Sequence, residues 1–413
     1  MINIGLWTGV TLFAGLGTLP LTAHYFHIVS AVALISNFIF VPLIGFFVLP
    51  LGLISLVCYF YLPFLAIKIL DICHQILLFS IMCSQALVSI PYSWSRVISL
   101  QWTGVAIIYI GFLALYCVFK GHKKFFAVCV ALSFLLAFSN FSENQTNKKS
   151  TGMRISILDV GQGNSALIET AEGKNILVDG GGISDISTFD TGRFIVAPFL
   201  WQKKICSLDY VILTHPESDH LNGLIYILKN FKVHTLIKNT DIEDTNTYKM
   251  LIQTCHKEHI RIWEPSIREN RINIGGTRVL FLDLEYRAAA KDLNNNGLVF
   301  KVAYKDFSML FPGDILWSRE KSLGSVKTID LCSDVLLSPH HGSSTSSSKF
   351  FLDKVRPKSV IVSCGRRNRY NFPHDEVLKR YNQMGIDIFR TDTDGAIFIS
   401  SDGKNYNIKP YKG

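Results

Sequence analysis

The first 119 residues of this 413-residue chain almost lack charge, since only Lys68, Asp71 and Arg96 carry one. A water-soluble fold of that size carries roughly thirty charged side chains at the ordinary usage of about 25%. The shortage argues against a soluble domain and predicts a multi-pass membrane region of α-helices. By length and apolarity, we expect two spans within residues 28–70 and one each in residues 5–22, 72–90, 101–119 and 124–139.

The chain also lacks closely paired cysteines, because none of its nine cysteines belongs to a CxxC pair. This excludes a zinc knuckle and gives no sign of a disulfide framework. An excess of one charge sign is missing from residues 150–413, which hold 34 Lys and Arg against 30 Asp and Glu. The net charge of +9 therefore does not by itself indicate a nucleic-acid-binding protein.

A polar segment, SNFSENQTNKKSTG at residues 139–152, separates the apolar region from the rest of the chain. We expect transmembrane helices over residues 1–140, a linker over 141–152 and a globular domain over 153–413. Prolines and an asparagine interrupt the apolar region. They indicate either simple kinks or broken helices around a polar cavity, and both interpretations stay open. These residues are Asn37, Pro42, Pro50 and Pro63.

The charges around the last predicted span bear on its orientation. The short basic loop GHKK at residues 121–124 is expected in the cytoplasm, which puts the globular domain on the external side of the membrane. Basic residues that follow this span give an opposing signal: Lys148, Lys149 and Arg154.

Short β-like runs alternate with helix-like stretches in residues 153–413, which predicts an α/β sandwich of mixed sheets with helices outside. Polar residues follow several of the runs, where loops converge. The runs are RISILDV, SALIET, NILVDGG, YVILTH, LVFKVAY, SMLFPGD, VLLSPH and SVIVSCG, and the helix-like stretches include 221–230 and 348–355.

Imidazoles and carboxylates gather at the ends of three of these runs. This combination suits divalent metals such as Zn²⁺ or Mn²⁺, and such an ion activates water for attack on an ester or phosphodiester. Any one of these groups alone could instead be structural. The residues are His215, Asp219, His220, Asp314, His340 and His341.

The motifs DVGQG, ILVDGG, HPESDH, NNNGLVF, FPGD and PHHGSSTS resemble the metallo-β-lactamase-fold domain of the ComEC-type DNA-uptake family. The segment GTLPLTAHYFHIVSAVALISNFIFVPLIGFFVLPLGL resembles the later helices of that family's competence membrane domain. The resemblance implies an αββα sandwich after the membrane region. It also implies a bacterial cytoplasmic membrane protein that takes up DNA and carries a metal-dependent nuclease domain.

The resemblance assigns roles to individual residues. Metal ligands would be His215, Asp219, His220, Asp314, Asn296 and one of His340 and His341, with one or two ions bound. Asp179, Asp219 and Asp314 would form the catalytic group, and Gln162, Ser343, Ser344 and His374 would contact substrate.

Two positions depart from the family pattern. Glu217 takes the place of the second His in the fold's HxHxDH motif, and Phe372 takes the place of the first His in a later HPH motif. An oxygen-rich half-site with Glu217 and Asn296 favours Mn²⁺ or Mg²⁺ over Zn²⁺. The second substitution weakens the role expected of His374.

The family's preceding soluble module and earlier spans have no counterpart before Met1. A shortened relative, a product of a split gene and a fragment all fit this observation. The membrane half would then need a homo-oligomer, other uptake proteins or a chain supplying the missing part. Two other functions stay open: a membrane-anchored hydrolase of another phosphoester, such as a phosphocholine or lipid substrate, and a non-catalytic channel or binding module.

Overall fold

The computed structural model describes residues 4–97, 101–148, 152–182, 188–286, 288 and 292–412. The chain divides into two compact units, Met1–Asn144 and Gln145–Gly413.

The first unit is helical, with one short pair of strands. Its helices are α1 (Ile4–Phe26), α2 (Ala33–Pro42), α3 (Leu49–Tyr61), α4 (Pro63–Ser89), α5 (Trp102–Phe119) and α6 (Lys123–Lys148), the last of which crosses the boundary between the units. Strands β1 (Ile28–Ser30) and β2 (Trp94–Arg96) pair antiparallel. Among the described residues, three helices are long and apolar enough to cross a membrane: Ala33–Tyr61, Pro63–Ser89 and Trp102–Phe119.

The prediction of two spans within residues 28–70 was wrong. A π-helical stretch at Leu43–Val48, directly after Pro42, joins helices α2 and α3 into one continuous helix. The chain breaks instead at Leu62, whose backbone (φ −140°, ψ 67°) is not helical. A residue before proline is sterically pushed out of the helical region, so Pro63 starts a new helix. The predicted span at residues 72–90 therefore overlaps the second half of α4, which ends at Ser89, rather than forming a separate helix.

The described residues of the second unit form two β-sheets. The first runs in the order β17-β16-β3-β4-β5-β6-β7-β8. Its strands are β3 (Met153–Ile157), β4 (Ala166–Glu169), β5 (Asn175–Val178), β6 (Ser207–Leu213), β7 (Lys232–Lys238), β8 (Arg261–Trp263), β16 (Ile397–Ser401) and β17 (Tyr406–Pro410).

The second sheet runs in the order β15-β14-β13-β12-β11-β10-β9. Its strands are β9 (Arg271–Ile274), β10 (Thr277–Leu282), β11 (Val299–Tyr304), β12 (Phe307–Phe311), β13 (Val335–Leu337), β14 (Ser359–Val362) and β15 (Asp387–Arg390). The helices of this unit are α7 (Ala197–Gln202), α8 (Ser218–Asn230), α9 (Asn246–Lys257), α10 (Leu293–Asn296), α11 (Trp317–Ser325), α12 (Lys349–Val355), α13 (Asp375–Gln383) and α14 (Thr391–Asp394).

The two sheets pack face to face. One buried cluster joins Ile155 and Ile168 of the first sheet to Phe300 and Phe311 of the second, and the rings of Phe300 and Phe311 stack 4.9 Å apart. Each fully buried side chain of this size contributes roughly 1.5–3 kcal/mol relative to exposure. The core therefore lies between the sheets.

Helices cover the outer faces of both sheets. In α8 the apolar residues Leu221, Leu224, Ile225 and Leu228 recur at helical spacing and pack against the first sheet. Helices α11, α12 and α13 cover the second sheet in the same way. The layers are helix, sheet, sheet, helix, so the predicted αββα sandwich is confirmed.

Candidate metal centre

The metal-binding motifs follow strands that are neighbours in their sheets. Strands β5 and β6 are parallel, so Asp179 and His215 come after their carboxyl ends at the same edge. Strands β12 and β13 are also parallel, and Asp314 and His341 follow them. In the sandwich these two edges lie next to each other. The loops that follow the strands therefore converge.

Four side chains then meet in one place, which we name the four-ligand cluster: Asp219, His220, Asp314 and His341. One potential ligand atom from each lies within 4.8 Å of all the others. Asp314 is central, since its Oδ1 is 3.3 Å from His220 Nε2 and its Oδ2 is 3.2 Å from His341 Nε2. Asp219 Oδ2 closes the group at 3.5 Å from His341 Nε2.

Hydrogen bonds fix the orientation of both histidines. His220 Nδ1 lies 2.8 Å from Asp179 Oδ2, and His341 Nδ1 lies 2.8 Å from the carbonyl of Ser363. Because a carboxylate and a carbonyl only accept, each Nδ1 carries the proton and each Nε2 faces the cluster. Asp179 also accepts two hydrogen bonds of 2.8 Å from Thr214, which holds the carboxylate in place.

The pKa shifts of the cluster residues show that its carboxylates favour positive charge nearby. Burial alone would lower the pKa of His341, but Asp314 and Asp219 raise it to about 10. Burial alone would raise the pKa of Asp219, but the adjacent His341 ring and the charge of His220 lower it to about 2. Burial opposes the shift at His220 too, yet Asp314 and Asp179 raise its pKa. The carboxylates thus favour positive charge on the groups beside them, and a divalent ion would also supply positive charge there.

Unsatisfied atoms also fit a bound metal. Within the described part of the chain, His220 Nε2, His341 Nε2 and Asp314 Oδ1 are buried without a hydrogen-bond partner. Such atoms are costly unless a ligand satisfies them. Two imidazoles and two carboxylates are ligands of Zn²⁺ and of harder ions such as Mn²⁺. The donor set therefore fits a divalent metal.

A second group of possible ligands, the His215 side, comprises His215 and Glu217. His215 Nε2 is buried without a hydrogen-bond partner among the described residues, and it lies 3.8 Å from Glu217 Oε2. Glu217 is half-buried and directly precedes α8, without a side-chain hydrogen bond to the first turn of that helix. This side is more open than the four-ligand cluster.

The two adjacent histidines of the PHHG segment have different environments. His341 is fully buried in the four-ligand cluster, whereas His340 lines the cleft above it. Both residues adopt left-handed backbone conformations, with φ of 47° and 56°. This turn directs successive side chains to different sides. The geometry therefore places His341 rather than His340 in the four-ligand cluster, and burial lowers the pKa of His340.

The side chain and the carbonyl of Asn296 are engaged in hydrogen bonds with residues outside both groups. Its Oδ1 accepts a hydrogen bond of 2.8 Å from the backbone of Ala288, and its carbonyl accepts one of 3.1 Å from Asn239. The geometry therefore does not support the predicted role of Asn296 as a ligand. Asn294, in the same asparagine run, has a buried Oδ1 without a hydrogen-bond partner among the described residues.

A cleft of about 610 Å³ opens over the four-ligand cluster. Of the predicted substrate contacts, Gln162 lines it, but the described residues at its wall do not include Ser343, Ser344 or His374. His374 Nδ1 accepts a hydrogen bond of 2.8 Å from the backbone of Ser344, and the Ser343 hydroxyl pairs with Thr345 at 2.9 Å. These three residues hold the PHHGS segment in shape. The lining comprises Gly161, Gln162, Gly182, Glu217, Ser218, Asp219, Asp314, His340, His341, Gly365, Arg366, Asn368, Arg369, Tyr370 and Phe372.

A buried acid that the sequence analysis missed supports the same segment. Glu320 accepts hydrogen bonds from the backbone of Ser347 and Ser348, and the hydroxyl of Ser347 pairs with Tyr381 at 2.6 Å. Burial raises the pKa of Glu320 to about 7. No local sequence pattern marks Glu320, because its partners lie about 27 residues further along the chain.

Glycine allows the DVGQG loop to approach the cluster. A Cβ on Gly163 would lie 2.0 Å from the carbonyl oxygen of Asp219, and its φ is +107°. Only glycine tolerates both conditions. The loop therefore packs directly on the first turn of α8.

The comparisons with known proteins agree with this geometry. Residues 158–366 match the family model described as the metallo-beta-lactamase superfamily, which is half of the chain. The chain belongs to the metallo-beta-lactamase superfamily. Residues 2–122 match the model described as Competence protein, so both parts of the predicted resemblance are confirmed.

Individual relatives span the two regions. ComE operon protein 3 of Bacillus subtilis is 26% identical over 96% of this chain and 52% of its own length. Competence protein ComA of Neisseria gonorrhoeae is 30% identical over 59% of this chain and 31% of its own. Recombination protein 2 of Haemophilus influenzae is 28% identical over 64% and 31%. The chain thus spans between about a third and a half of the length of these relatives.

Proposed function

We propose that this protein is a membrane component of DNA uptake whose second unit hydrolyses phosphodiester bonds of DNA. The observation that carries this proposal is the cleft in which the four-ligand cluster lies beside Arg366 and Arg369. Carboxylates and imidazoles at its floor suit a divalent metal, and guanidinium groups at its wall suit phosphate. The match of residues 2–122 to a Competence protein model supports uptake as the setting.

Each residue of the cleft has a separate task in this proposal. Asp219, His220, Asp314 and His341 would hold the ion, and Asp179 keeps the Nε2 lone pair of His220 directed at it. When bound, the metal supplies an activated water and neutralises charge on the phosphate. Arg366 and Arg369 offset the remaining phosphate charge at the wall of the cleft.

The membrane-capable helices set the proposed location. Three apolar helices precede the hydrolase unit, so a multi-pass protein of the bacterial cytoplasmic membrane is the natural arrangement. The basic loop at residues 121–124 favours an external hydrolase unit. A single DNA strand would be in transit through these helices, with further copies of this chain or other uptake proteins completing the pore.

Cleavage of a 5′-labelled single-stranded oligonucleotide by the detergent-solubilised chain, with Mn²⁺, Zn²⁺ or Mg²⁺ added, tests the proposal. We expect metal-dependent cleavage that falls roughly a hundredfold or more in Asp314→Ala. Asp353→Ala, which removes an exposed carboxylate of α12, is the matched control and should cleave normally.

A small diester, bis(p-nitrophenyl) phosphate, separates the proposal from its alternatives. Turnover of this compound without cleavage of DNA would favour a hydrolase of another phosphoester. Failure to bind or respond to any divalent metal would contradict both enzymatic functions and favour a channel or binding module.

A further inference from the structure

One wall of the cleft carries a row of flat side chains, which we name the aromatic lip: Arg369, Tyr370 and Phe372. The lip belongs to the loop that follows β14. The rings of Tyr370 and Phe372 stack 5.3 Å apart at an angle of 18°. The guanidinium carbon of Arg369 lies 4.7 Å from the centre of the Tyr370 ring.

The inner end of the lip reaches the metal centre. The Phe372 ring lies 5.6 Å from the ring of His340 and 6.3 Å from that of His341. The outer end faces solvent, since Tyr370 is 43% exposed. The lip therefore leads from the protein surface to the four-ligand cluster along one wall of the cleft.

The lip is held rigidly by a single amide side chain. Asn368 Nδ2 donates to the carbonyls of Gly365 and Phe372 at 2.9 and 2.7 Å. Its Oδ1 accepts from the backbone N–H groups of Tyr370 and Phe372 at 3.1 and 3.0 Å. Four hydrogen bonds use the full capacity of this amide. The loop is thus preorganised, which lowers the entropic cost of binding.

Aromatic rings combined with arginine form the surface on which unpaired bases stack, while cations track the phosphates. Arg366, in the same wall, adds a second guanidinium for the backbone. Paired bases in a duplex present only their edges, so their faces are not accessible to such a surface.

We propose that the aromatic lip is a binding site for unpaired bases, which makes the cleft selective for single-stranded DNA. A base stacks on the outer part of the lip, at Arg369 and Tyr370, and the adjoining phosphate extends toward the four-ligand cluster. This inference rests on the proposed function for its choice of DNA. Its test uses binding rather than cleavage, so the two can fail separately.

Fluorescence anisotropy of the full chain in detergent, with EDTA present to prevent hydrolysis, measures the binding. The probes are a labelled single-stranded oligonucleotide, its duplex and the same strand with abasic sites. We expect the wild type to bind the single strand more tightly than either of the other probes. Loss of one stacked base costs about 1–3 kcal/mol, so Tyr370→Ala should bind the single strand about tenfold more weakly.

Two further variants separate stacking from general damage. Tyr370→Trp keeps a flat ring and should retain the affinity of the wild type. Tyr411→Ala removes a ring that is 74% exposed near the C-terminus, and it should bind normally. An unchanged affinity in Tyr370→Ala, or an equal loss for the abasic strand, would overturn the inference. If binding follows the expected pattern but no DNA is cleaved, the proposal of a base-binding site is supported and the nuclease proposal fails.

Discussion

The two sides of the cleft floor differ in how completely the protein has prepared them for a metal. In the four-ligand cluster, the two imidazoles are each fixed from behind, by the Asp179 carboxylate and by the Ser363 carbonyl. On the His215 side, Glu217 is half-buried and lies 3.8 Å from the ring of His215. The affinity of a site for a metal depends on how firmly its ligands are held in position as well as on their chemical type. We therefore expect one tight site and one weak, oxygen-preferring site.

The largest effect should come from the adjacent histidines of the PHHG segment. His341→Ala removes a buried ligand, so we expect metal affinity to fall more than a hundredfold, beyond the roughly 10- to 100-fold cost of an outer-shell change. His340→Ala removes a cleft-wall residue and should change metal affinity less than about threefold. Equilibrium dialysis with graded free Zn²⁺ or Mn²⁺ measures both. Equal losses in the two variants would contradict the assignment of His341.

Asp179→Asn tests whether the outer hydrogen bonds prepare the tight site. An asparagine can turn its NH₂ group toward His220 Nδ1, which would move the proton of the imidazole to Nε2 and block the ligand atom. We expect metal affinity to fall roughly 10- to 100-fold with the fold intact. The same dialysis measures it, with circular dichroism as the check on folding. An unchanged affinity would mean that Asp179 is only structural.

The sequence predicted the residues of the four-ligand cluster better than those of the His215 side, for a physical reason. Asp219, His220 and Asp314 lie within a few residues of the ends of apolar runs, so their convergence could be predicted from the sequence. The choice between His340 and His341 could not, because it depends on two consecutive left-handed backbone angles. The short helix Leu293–Asn296 likewise decides how the three asparagine side chains are oriented, which the sequence does not show.

Hydrogen-bond partners that are distant in sequence and the positions of helix breaks also could not be predicted from the sequence. Glu320 and Tyr381 support the segment after the histidines from separate helices, and the sequence gives no pattern that pairs them. In the membrane-capable region, prolines predict where a helix is disturbed but not how. Pro42 is accommodated by a π-helical stretch, whereas Pro63 starts a new helix.

Glu217→His should reduce the difference in metal affinity between the four-ligand cluster and the His215 side. It would give the His215 side two imidazoles and recreate the HxHxDH spacing, and nitrogen ligands favour Zn²⁺ over harder ions. We expect a second equivalent of Zn²⁺ to bind roughly tenfold more tightly, about 1.4 kcal/mol. Metal analysis after dialysis measures this, with Glu258→His at the exposed end of α9 as the control. A stoichiometry that does not change would mean that the His215 side cannot bind an ion.

The smallest effect should come from Glu320→Gln, because Glu320 supports the four-ligand cluster only through the loop after His341. Its pKa is about 7 in the folded protein against an ordinary 4.5. The unfolded chain therefore releases this proton first, and the group's contribution to stability is lost as the pH rises from 4.5 to 7. The loss has an upper limit of ~3 kcal/mol.

Calorimetric unfolding of the detergent-solubilised chain at pH 5 and 7.5 measures this contribution. The midpoint of the wild type should fall more between these pH values than that of Glu320→Gln, because glutamine has no proton to release. Glu376→Gln, on the exposed face of α13, should keep the pH dependence of the wild type. If Glu320→Gln shows the same pH dependence as the wild type, the buried carboxyl does not titrate in this range. The segment that carries His341 would then be held independently of pH, and the contrast between the tight and weak sites would rest on their ligands alone.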